Sequence, residues 1–490
     1  MTPPGHDLRH PILVRPAATC ATLPRTDPPV TALPPAAAPT VAFRTLGCKL
    51  NQCETAQMEE VLTAHGYRTV PWESPAVVRV LNTCTVTGKT DRACRHEIRR
   101  AKRRDPGARL VVTGCYAQVA PEKVAAIPGV ELVLGNIDKL NVARHIDDLL
   151  ARTAGAEPEG RSAAPRPVTL VTPFASAATF QGDFITHFSG YTRAFLKVQN
   201  GCDSHCSYCV IPAARGPSRS MARAEVLAQV RLLAERGYRE IVITGIHLGA
   251  WGRDTGEGTL ADLLHALAEE GAAARYRLSS TEPREIDDRV LAVMRAAGPR
   301  FADHFHVPLQ SGADTVLRRM NRPYDSAGYA ERVQAIRAAF PEAAIGADVI
   351  VGFPGETEEE FEQTRRLVAD LPLTYLHVFS YSDRPGTRAS TLPGKVPPEI
   401  AQARSESLRA LGAEKNAAFQ ERFAGRELTA LLLHQTADDG RRVGLTGNYI
   451  EVLVEAAHPA NEFVVVRLLR RLSDGRWDAR VTRVLGDRAG

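Results

Sequence analysis

The sequence has 490 residues, of which 44% are hydrophobic and 24% charged, and this predicts a globular protein of about three domains. No apolar run is long enough to cross a bilayer, so we expect a cytoplasmic protein with no membrane partner. The formal net charge of +5 is too small to indicate nucleic-acid binding by itself. Nine cysteines, an odd number without a recognisable secretory signal, favour metal or cluster ligation over a disulfide framework.

The first part of the chain is predicted to contain a disordered extension followed by an α/β domain. Residues 1–40 are rich in Pro, Ala and Thr and show no periodicity, which predicts disorder. Residues 41–150 alternate strands with helices, which predicts a doubly wound parallel sheet. The predicted strands are Val41–Leu46, Val77–Asn82, Arg109–Thr113 and Glu131–Leu134, and the predicted helices are Glu54–Ala64 and Asp91–Arg103.

Three of these predicted strands are followed at once by a cysteine. The residues are Cys48, Cys84 and Cys115. Ligands of open α/β sheets bind beyond the carboxyl ends of the strands. The three cysteines, although distant in sequence, are therefore predicted to meet at one edge of the sheet and to form a site.

Residues 151–187 are predicted to be a linker, because much of this segment is rich in Ala, Pro, Gly and Ser. A second series of strands and helices follows in residues 188–424. Its predicted strands are Ala194–Gln199, Glu240–Thr244, Tyr276–Ser279, Phe305–Leu309, Ala344–Val351 and Leu373–Phe379. Six such units without a dinucleotide-binding glycine pattern predict an open (β/α)6 partial barrel, with its active site at the carboxyl ends of the strands.

The last part of the chain, residues 425–488, is predicted to be a separate all-β domain. Short strands are expected at Glu427–His434, Arg442–Thr446, Tyr449–Val454, Glu462–Leu469 and Trp477–Val484. Five short strands separated by turns predict a small antiparallel β-barrel of the OB-like kind that often binds oligonucleotides.

The strongest chemical signal lies just after the first strand of the second series. Cys202, Cys206 and Cys209 are separated by three and then two residues. Three thiolates at this spacing suit one corner of a [4Fe–4S] cluster and leave one iron open for a small molecule. Structural zinc usually needs paired Cys-x-x-Cys units or histidines, so a zinc knuckle is the weaker interpretation.

These motifs resemble the radical S-adenosylmethionine (SAM) superfamily, in which an aromatic residue, here Tyr208, precedes the last cysteine. Most of the chain after residue 40 is similar to one family within it, the methylthiotransferases, which have an N-terminal domain with three strand-end cysteines. The C-terminal barrel resembles the TRAM domain of this family, an RNA-contacting module. The stretches that carry the resemblance are Thr45–Gln52, Asn82–Thr87, Gly114–Gln118, Phe195–Cys202, Arg277–Glu282, His306–Gly312, Arg319–Arg322 and Val351–Thr357.

Three bacterial types of this family differ in substrate. Residues 46–55, 243–249 and 445–449 are most similar to the type that converts N6-threonylcarbamoyladenosine (t6A), at position 37 of tRNA, to its 2-methylthio derivative. Types that act on isopentenyladenosine in tRNA or on an aspartate of a ribosomal protein remain alternatives. A non-catalytic iron–sulfur RNA-binding protein is the alternative from another class.

The resemblance also implies the cofactors and partners. Cys202, Cys206 and Cys209 would hold one [4Fe–4S] cluster, at which SAM is cleaved to a 5′-deoxyadenosyl radical. Cys48, Cys84 and Cys115 would hold an auxiliary [4Fe–4S] cluster that supplies or carries sulfur. Two SAM molecules are expected per turnover, together with a reducing electron donor. The expected macromolecular partner is tRNA, and no role is expected for DNA.

Further candidate residues lie at strand ends and in basic segments. SAM contacts are expected among residues at the carboxyl ends of barrel strands and in the cysteine motif, namely Tyr208, Gly245, Ser279, Glu282, Gln310, Val351 and Gly352. RNA contacts are expected from a basic helix end and from residues near the barrel mouth, namely Arg99, Arg100, Arg103, Arg319 and Arg322. Cys94 matches no motif position. Cys53 stands where the family's t6A type more often has an aromatic residue, and we interpret it as a small apolar residue at a helix start, with a place near the auxiliary cluster as the alternative.

Overall fold

The computed structural model describes residues 38–154, 166–174, 179–180 and 185–486. Nearly all of the expected extension and much of the expected linker lie outside these residues, so their disorder stays a prediction. Within the described ranges, no helix combines the length and the apolar composition that crossing a membrane requires.

The N-terminal domain is built on one sheet of six parallel strands. The strands are β1 (Thr40–Thr45), β2 (Arg68–Thr69), β3 (Val78–Thr83), β4 (Arg109–Gly114), β5 (Val130–Leu134) and β6 (Val168–Leu170). Their order in the sheet is β2-β1-β3-β4-β5-β6, with parallel pairing throughout. The chain therefore winds outward in both directions from the β1–β3 pair, which confirms the doubly wound sheet.

Helices cover both faces of this sheet. They are α1 (Lys49–Ala64), α2 (Gly88–Arg104), α3 (Cys115–Val119), α4 (Pro121–Ala125) and α5 (Val142–Ala154). Met58 and Leu62 of α1 belong to the apolar core on one face, while Ile98 and Ala101 of α2 belong to the core on the other. A sheet buried on both faces needs such a double layer, because its strands are apolar on both sides.

Two of the differences between this domain and the sequence prediction have a clear physical reason. α1 begins at Lys49 instead of Glu54, because Leu50, Cys53 and Met58 together form a buried helical face that the helix must start early to present. The strand β6 lies in the expected linker and pairs with β5. A strand of three residues has too little alternation to be recognised from its sequence.

The central domain is an open barrel of six principal parallel strands. The strands of this region are β7 (Ala194–Lys197), β8 (Gln199–Asn200), β9 (Arg219–Ser220), β10 (Glu240–Thr244), β11 (Arg275–Leu278), β12 (His304–His306), β13 (Ala344–Val351) and β14 (Tyr375–Ser380). Six of them form two parallel ladders, β7-β10-β11 and β12-β13-β14, while β8 and β9 form a separate antiparallel pair. Between the ladders, the N–H of Thr281 donates to the carbonyl of His306 at 3.0 Å, so the two halves continue one wall.

The helices of the barrel pack mainly on its outer face. They are α6 (Ile211–Arg215), α7 (Arg223–Glu235), α8 (Leu260–Glu270), α9 (Asp288–Ala297), α10 (Asp314–Arg319), α11 (Ser326–Ala339), α12 (Glu358–Asp370) and α13 (Pro398–Glu421). Val226, Val230 and Leu233 form the apolar face of α7 and are fully buried in the main core.

The N-terminal domain covers the open side of the barrel between β7 and β14. On the β7 side, the thiol of Cys53 in α1 donates to the carbonyl of Phe195 at 3.1 Å. On the β14 side, the guanidinium of Arg384 pairs with the carboxylate of Asp91 in α2 at 2.7 Å. The edge with the strand-end cysteines is thereby held against the barrel.

The C-terminal domain is a closed barrel of five strands. They are β15 (Glu427–Thr436), β16 (Arg442–Thr446), β17 (Glu451–Val454), β18 (Phe463–Arg471) and β19 (Trp477–Gly486), in the order β15-β16-β17-β19-β18. The prediction of a purely antiparallel barrel is wrong for one pair, because β17 and β19 are parallel. A closed ring with an odd number of strands must contain at least one parallel pair.

Candidate iron–sulfur sites

The three strand-end cysteines of the N-terminal domain lie together, as predicted. Cys48 follows β1, Cys84 follows β3 and Cys115 follows β4, and these strands are adjacent in the sheet. Burial, with a smaller contribution from the neighbouring thiols of Cys115 and Cys48, raises the pKa of the Cys84 thiol to about 12. The site sits at the switch point of the sheet, where α/β proteins bind ligands.

Glycines immediately before two of these cysteines allow the close approach. Gly47 has a φ of +118°, and a Cβ at this position would lie 2.6 Å from the Cβ of Cys84. Gly114 has a φ of +96°, and a Cβ there would overlap the carbonyl of Thr83. Only glycine tolerates this combination of backbone angle and crowding. The Gly-Cys pairs are thus a local requirement for bringing the thiols together.

A buried cation from the barrel reaches this cysteine site. Arg215, the last residue of α6, donates to Glu54 at 2.8 Å and to Asn51 at 2.7 Å. Burial disfavours the charge of Arg215, but the thiols of Cys115 and Cys48 together with Glu54 raise its pKa well above the usual value. Its Nε has no hydrogen-bond partner among the described residues.

The surroundings of the N-terminal cysteines suit an anionic group. Lys139 pairs with Glu54 at 2.6 Å and Lys197 pairs with it at 3.5 Å, so Glu54 faces three cations including Arg215. All four side chains are buried. One carboxylate cannot balance three buried cations. A cluster held by three thiolates would bring the missing negative charge, so these residues fit an iron–sulfur cluster.

The barrel motif forms a compact loop between β8 and α6. The N–H of Cys202 donates to the carbonyl of Gly216 at 3.0 Å, and the N–H of Cys209 donates to that of Cys206 at 3.1 Å. The N–H of Ser204 donates to the Cys202 thiol at 3.4 Å. All three cysteines are half-buried, which leaves the loop open on one side. Their spacing and exposure fit a cluster with one iron accessible to a small molecule.

Two side chains that the sequence did not assign to this loop lie beside its sulfur atoms. His247, three residues after β10, places its Nδ1 3.7 Å from the Cys202 sulfur and its Nε2 2.8 Å from Glu285. Burial disfavours the charged imidazole, but the hydrogen bonds to Cys202 and Glu285 outweigh it and raise the pKa of His247 to about 10. A histidine in the Ile243–Gly249 stretch was the only sequence signal.

The second of these side chains corrects the prediction for Arg322. Its Nη1 lies 3.3 Å from the Cys206 sulfur, its Nη2 pairs with Glu282, and only 4% of the side chain is exposed. Arg322 therefore contacts the cluster loop instead of presenting a cation to RNA. The prediction rested on its sequence position near the barrel mouth, which does not show whether a side chain points into the cavity.

A cavity of about 420 Å³ adjoins the cysteine loop at the barrel mouth. Its lining residues are Ser204, His247, Arg253, Glu282, Arg284, Glu285, Arg322, Pro323 and Tyr324. Of the predicted SAM contacts, Glu282 lines this cavity. The lining combines carboxylates with cations, which suits the charged amino and carboxylate groups of an amino-acid ligand such as SAM.

The other predicted SAM contacts lie near strand ends in varied surroundings. Ser279 is buried, and its hydroxyl has no hydrogen-bond partner among the described residues. Gln310 has a φ of +67°, which is uncommon for a residue other than glycine. Tyr208 packs against a small apolar cluster. A Cβ on Gly245 would lie 3.0 Å from the side chain of Gln199. Their contact with SAM stays a prediction.

Val351 is the last residue of β13, and Gly352 directly follows it. Val351 is fully buried. A Cβ on Gly352, whose φ is +73°, would lie 2.7 Å from the Cβ of Ala401 in α13. Gly352 also borders a separate cavity of about 650 Å³ next to α13. The packing of α13 therefore explains this glycine without a ligand.

The remaining candidate RNA contacts lie on the surface. Arg99, Arg100 and Arg103 are exposed on α2, and Arg100 pairs with Glu97 at 3.6 Å. Arg319 is one-third exposed and pairs with Glu360 at 2.7 Å. Exposed basic side chains on one helix face can contact phosphates. Their role stays a prediction.

The barrel, its cysteine loop and the adjoining cavity define the class of the protein. Residues 196–368 match the radical SAM superfamily, and residues 40–135 match a family described as "Uncharacterized protein family UPF0004". The solved structure of the radical S-adenosylmethionine methyltransferase TsrM from Kitasatospora setae shares the fold, with a TM-score of 0.54 and 16% identity over 72% of this chain and 77% of that one. The protein is a radical SAM enzyme, which carries a [4Fe–4S] cluster and uses SAM.

Similar sequences identify the family within that class. The chain is 39% identical to threonylcarbamoyladenosine tRNA methylthiotransferase MtaB of Aquifex aeolicus, over 87% of this chain and 99% of that protein. It is 36% identical to the Bacillus subtilis protein of the same name, over 88% and 94%. It is 34% identical to tRNA-2-methylthio-N(6)-dimethylallyladenosine synthase of Streptomyces avermitilis, over 84% and 79%. The chain belongs to the radical SAM methylthiotransferase family.

Proposed function

We propose that this enzyme converts t6A at position 37 of tRNA to 2-methylthio-t6A. The observation that carries the proposal is the pairing of two cysteine sites across one domain boundary. Arg215 contacts the N-terminal site, and it lies six residues after Cys209 of the barrel loop. Relatives that are 32–39% identical to this chain, over 84–91% of its length, act on t6A by their names.

Each cysteine set is proposed to hold one [4Fe–4S] cluster. Cys202, Cys206 and Cys209 hold the first, and Cys48, Cys84 and Cys115 hold the second. When bound, these groups supply radical generation from SAM and a sulfur source, which insertion at an unactivated aromatic carbon requires. Two SAM molecules per turnover and a reducing electron donor belong to the proposal.

The residues around the two sites are proposed to shield the N-terminal cysteines from water and to stabilise the barrel thiolates. Cys84 and Cys115 are no more than 5% exposed, so the N-terminal site is shielded from water on the sheet side. Cys48, by contrast, is exposed. His247 and Arg322 hold positive charge beside the barrel thiolates, which favours their anionic form.

The RNA surface is proposed to include the end of α2 and the C-terminal barrel. Arg99 and Arg103 are exposed on α2, which lies on the side of the N-terminal domain held against the segment after β14. These cations would neutralise phosphates and fix the position of the anticodon stem without reading its sequence.

Methylthiolation of isopentenyladenosine is the second candidate. The Streptomyces avermitilis relative, whose name contains dimethylallyladenosine, is 34% identical to this chain, while two relatives named for t6A are 32% identical. Both reactions use the same chemistry and differ in the substituent that the substrate pocket receives.

Mass spectrometry of tRNA nucleosides tests the proposal. The gene is expressed in a host that lacks its own enzyme, beside the Cys202→Ala variant and an empty vector. We expect 2-methylthio-t6A with the wild type and in neither control. A 2-methylthio-isopentenyladenosine peak instead would support the second candidate. Neither peak, in cells that contain the intact iron-loaded protein, would contradict a tRNA substrate.

A further inference from the structure

A group of two histidines and one aspartate inside the barrel belongs to neither cysteine site. His306 ends β12, Asp348 lies in β13 and His377 lies in β14, so three adjacent strands contribute one side chain each. The neighbours of Asp348 along its strand, Ala347 and Val349, belong to the main core, which also contains residues of the outer helices. Because side chains alternate along a strand, Asp348 faces the interior of the barrel.

The two imidazoles converge on one carboxylate oxygen. The Oδ1 atom of Asp348 lies 3.0 Å from Nε2 of His306 and 3.3 Å from Nδ1 of His377. The three side chains place one ligand atom each within 4.8 Å of the others. Two atoms that each lie about 2.1 Å from a transition metal are about 3.0 Å apart at a right angle and about 3.4 Å apart in a tetrahedron. The observed distances therefore fit neighbouring ligands of one ion.

The partners of Asp348 differ from those of two buried acids of the same domain. Glu240 pairs with Arg275 at 2.5 Å, and Glu356 pairs with Arg404 at 2.8 Å. Among the described residues, Asp348 forms no ion pair with a lysine or an arginine. A guanidinium has no lone pair for a metal, whereas a neutral imidazole is the commonest metal ligand in proteins. Two imidazoles and one carboxylate are the donor set of many zinc and non-haem iron sites.

A second layer of contacts fixes the ring of His306. Its Nδ1 lies 3.1 Å from the hydroxyl of Tyr375, and the same hydroxyl lies 2.7 Å from Nε2 of His304. The Tyr375 ring occupies the space next to Gly346, where a Cβ would overlap it. Metal-binding histidines usually have their second ring nitrogen held by a hydrogen bond. The contact with Tyr375 leaves the other nitrogen of His306 directed at Asp348.

The group is accessible on one side. His306 is buried and Asp348 is partly buried, but 54% of the His377 side chain is exposed. His377 also lines a cavity of about 350 Å³ between the barrel and the C-terminal domain. Three protein ligands leave an ion at least one position for water or for an oxygen atom of a substrate. An ion at this place can therefore exchange with solvent.

We propose that His306, Asp348 and His377 bind a divalent transition-metal ion. Zinc and ferrous iron are the ions that best suit two imidazoles and a carboxylate. The ion replaces the protons that otherwise link the imidazoles to Asp348. The site is separate from the residues assigned to both clusters, and the inference does not depend on which nucleoside of tRNA is the substrate.

Equilibrium dialysis of the untagged, cluster-loaded enzyme against zinc chloride tests this assignment. Zinc and iron are measured together by mass spectrometry, so the added metal is distinguished from the clusters. We expect the wild type to bind one zinc ion per chain at micromolar free zinc, without loss of iron. His377→Ala and Asp348→Asn should each weaken this binding by about 100-fold or more, and Tyr375→Phe should weaken it by about 10-fold.

His265→Ala is the matched control, because it removes an exposed histidine that pairs with Glu269 on the surface of α8. It should bind zinc as the wild type does. Iron content equal to that of the wild type shows that each variant is folded. No stoichiometric zinc binding by the wild type would overturn the inference, and so would undiminished binding by His377→Ala or Asp348→Asn. Zinc uptake matched by loss of iron would place the metal at the cysteines and overturn it as well.

Discussion

Both cysteine sites offer three thiols, but the thiols come from one loop in the barrel site and from three strand ends in the N-terminal site. The barrel site takes Cys202, Cys206 and Cys209 from one loop, so its geometry is set by local hydrogen bonds. The N-terminal site takes its thiols from three strand ends, so its geometry depends on the whole sheet and on glycines at 47 and 114. A local site can form early and tolerate change in the remainder of the domain, whereas a strand-end site forms only with the complete fold.

The cations beside the two sites also lie in different surroundings. The barrel thiolates have two cations at the mouth of a cavity, His247 and Arg322. The N-terminal thiols have Arg215 and Lys139 in a buried network centred on Glu54. The first arrangement leaves room for a small ligand, and the second joins two domains. The difference indicates that one site handles SAM while the other is built into the domain interface.

The largest effect is expected for the barrel thiolates. Cys202→Ala should abolish formation of 5′-deoxyadenosine from SAM and, with it, methylthiolation. Iron content should fall by about half, because the N-terminal ligands remain. Chemical iron analysis and chromatography of the reaction test both parts. Cys53→Ala, which removes a buried cysteine outside both sites, is the control. Substantial SAM cleavage by Cys202→Ala would refute the assignment of the loop.

The next effect concerns the stability of the interface network. Glu54→Ala should lower the free energy of unfolding by about 3–5 kcal/mol, because it leaves buried cations without their carboxylate. Burial opposes its charge, but Arg215, Lys139 and Lys197 hold the pKa of Glu54 well below 4.5. Its contribution is therefore complete above pH 4.5 and is lost as the pH falls through the lower folded-state value.

Chemical denaturation measures this difference. Glu427→Ala, which removes an exposed partner of Arg467, is the control and should cost no more than about 1 kcal/mol. Equal losses in the two variants would show that the Glu54 network does not hold the domains together.

A smaller effect is expected on the reduction potential of the barrel cluster. Arg322→Met removes a positive charge 3.3 Å from the Cys206 sulfur, and positive charge favours the reduced, more negative state. The potential should therefore fall on the order of 50 mV, while that of the N-terminal cluster stays unchanged. A redox titration followed by electron paramagnetic resonance distinguishes the two clusters. A shift in both potentials would contradict separate charge environments.

The smallest effect is expected on the RNA surface, which touches neither site. Replacing Arg99, Arg100 and Arg103 together by alanine should weaken tRNA binding roughly tenfold and reduce the salt dependence of binding by about one unit per lost contact. SAM cleavage without tRNA should not change. Filter binding at several salt concentrations measures both quantities. An unchanged salt dependence would exclude this face from the interface.

The sequence predicts where the two sets of cysteines lie, but it does not predict which charged residues surround them. Cysteines directly after strands are visible as a pattern, so the meeting of Cys48, Cys84 and Cys115 could be expected from the topology of parallel sheets. The partnership of Arg215 with Glu54 could not, because the two residues are 161 positions apart and no local sequence pattern pairs them. The orientation of Arg322 depended on tertiary packing for the same reason.

The sequence prediction of the fold is wrong where short-range patterns do not contain the necessary information. β6 has three residues and lies in a segment whose composition resembles a linker. The parallel pairing of β17 with β19 follows from closing five strands into a ring, which no single strand reveals. Composition and periodicity describe single elements, whereas closure and long-range pairing are properties of the assembled chain.

The most direct test of the division between the two sites is one reaction of the Cys84→Ala variant with t6A-containing tRNA, SAM and a chemical reductant. Both 5′-deoxyadenosine and 2-methylthio-t6A are measured in the same sample. The account predicts that deoxyadenosine still forms, because the barrel site is intact, and that no 2-methylthio-t6A appears. Full methylthiolation by this variant would contradict the claim that the N-terminal cysteines hold a second cluster needed for sulfur insertion.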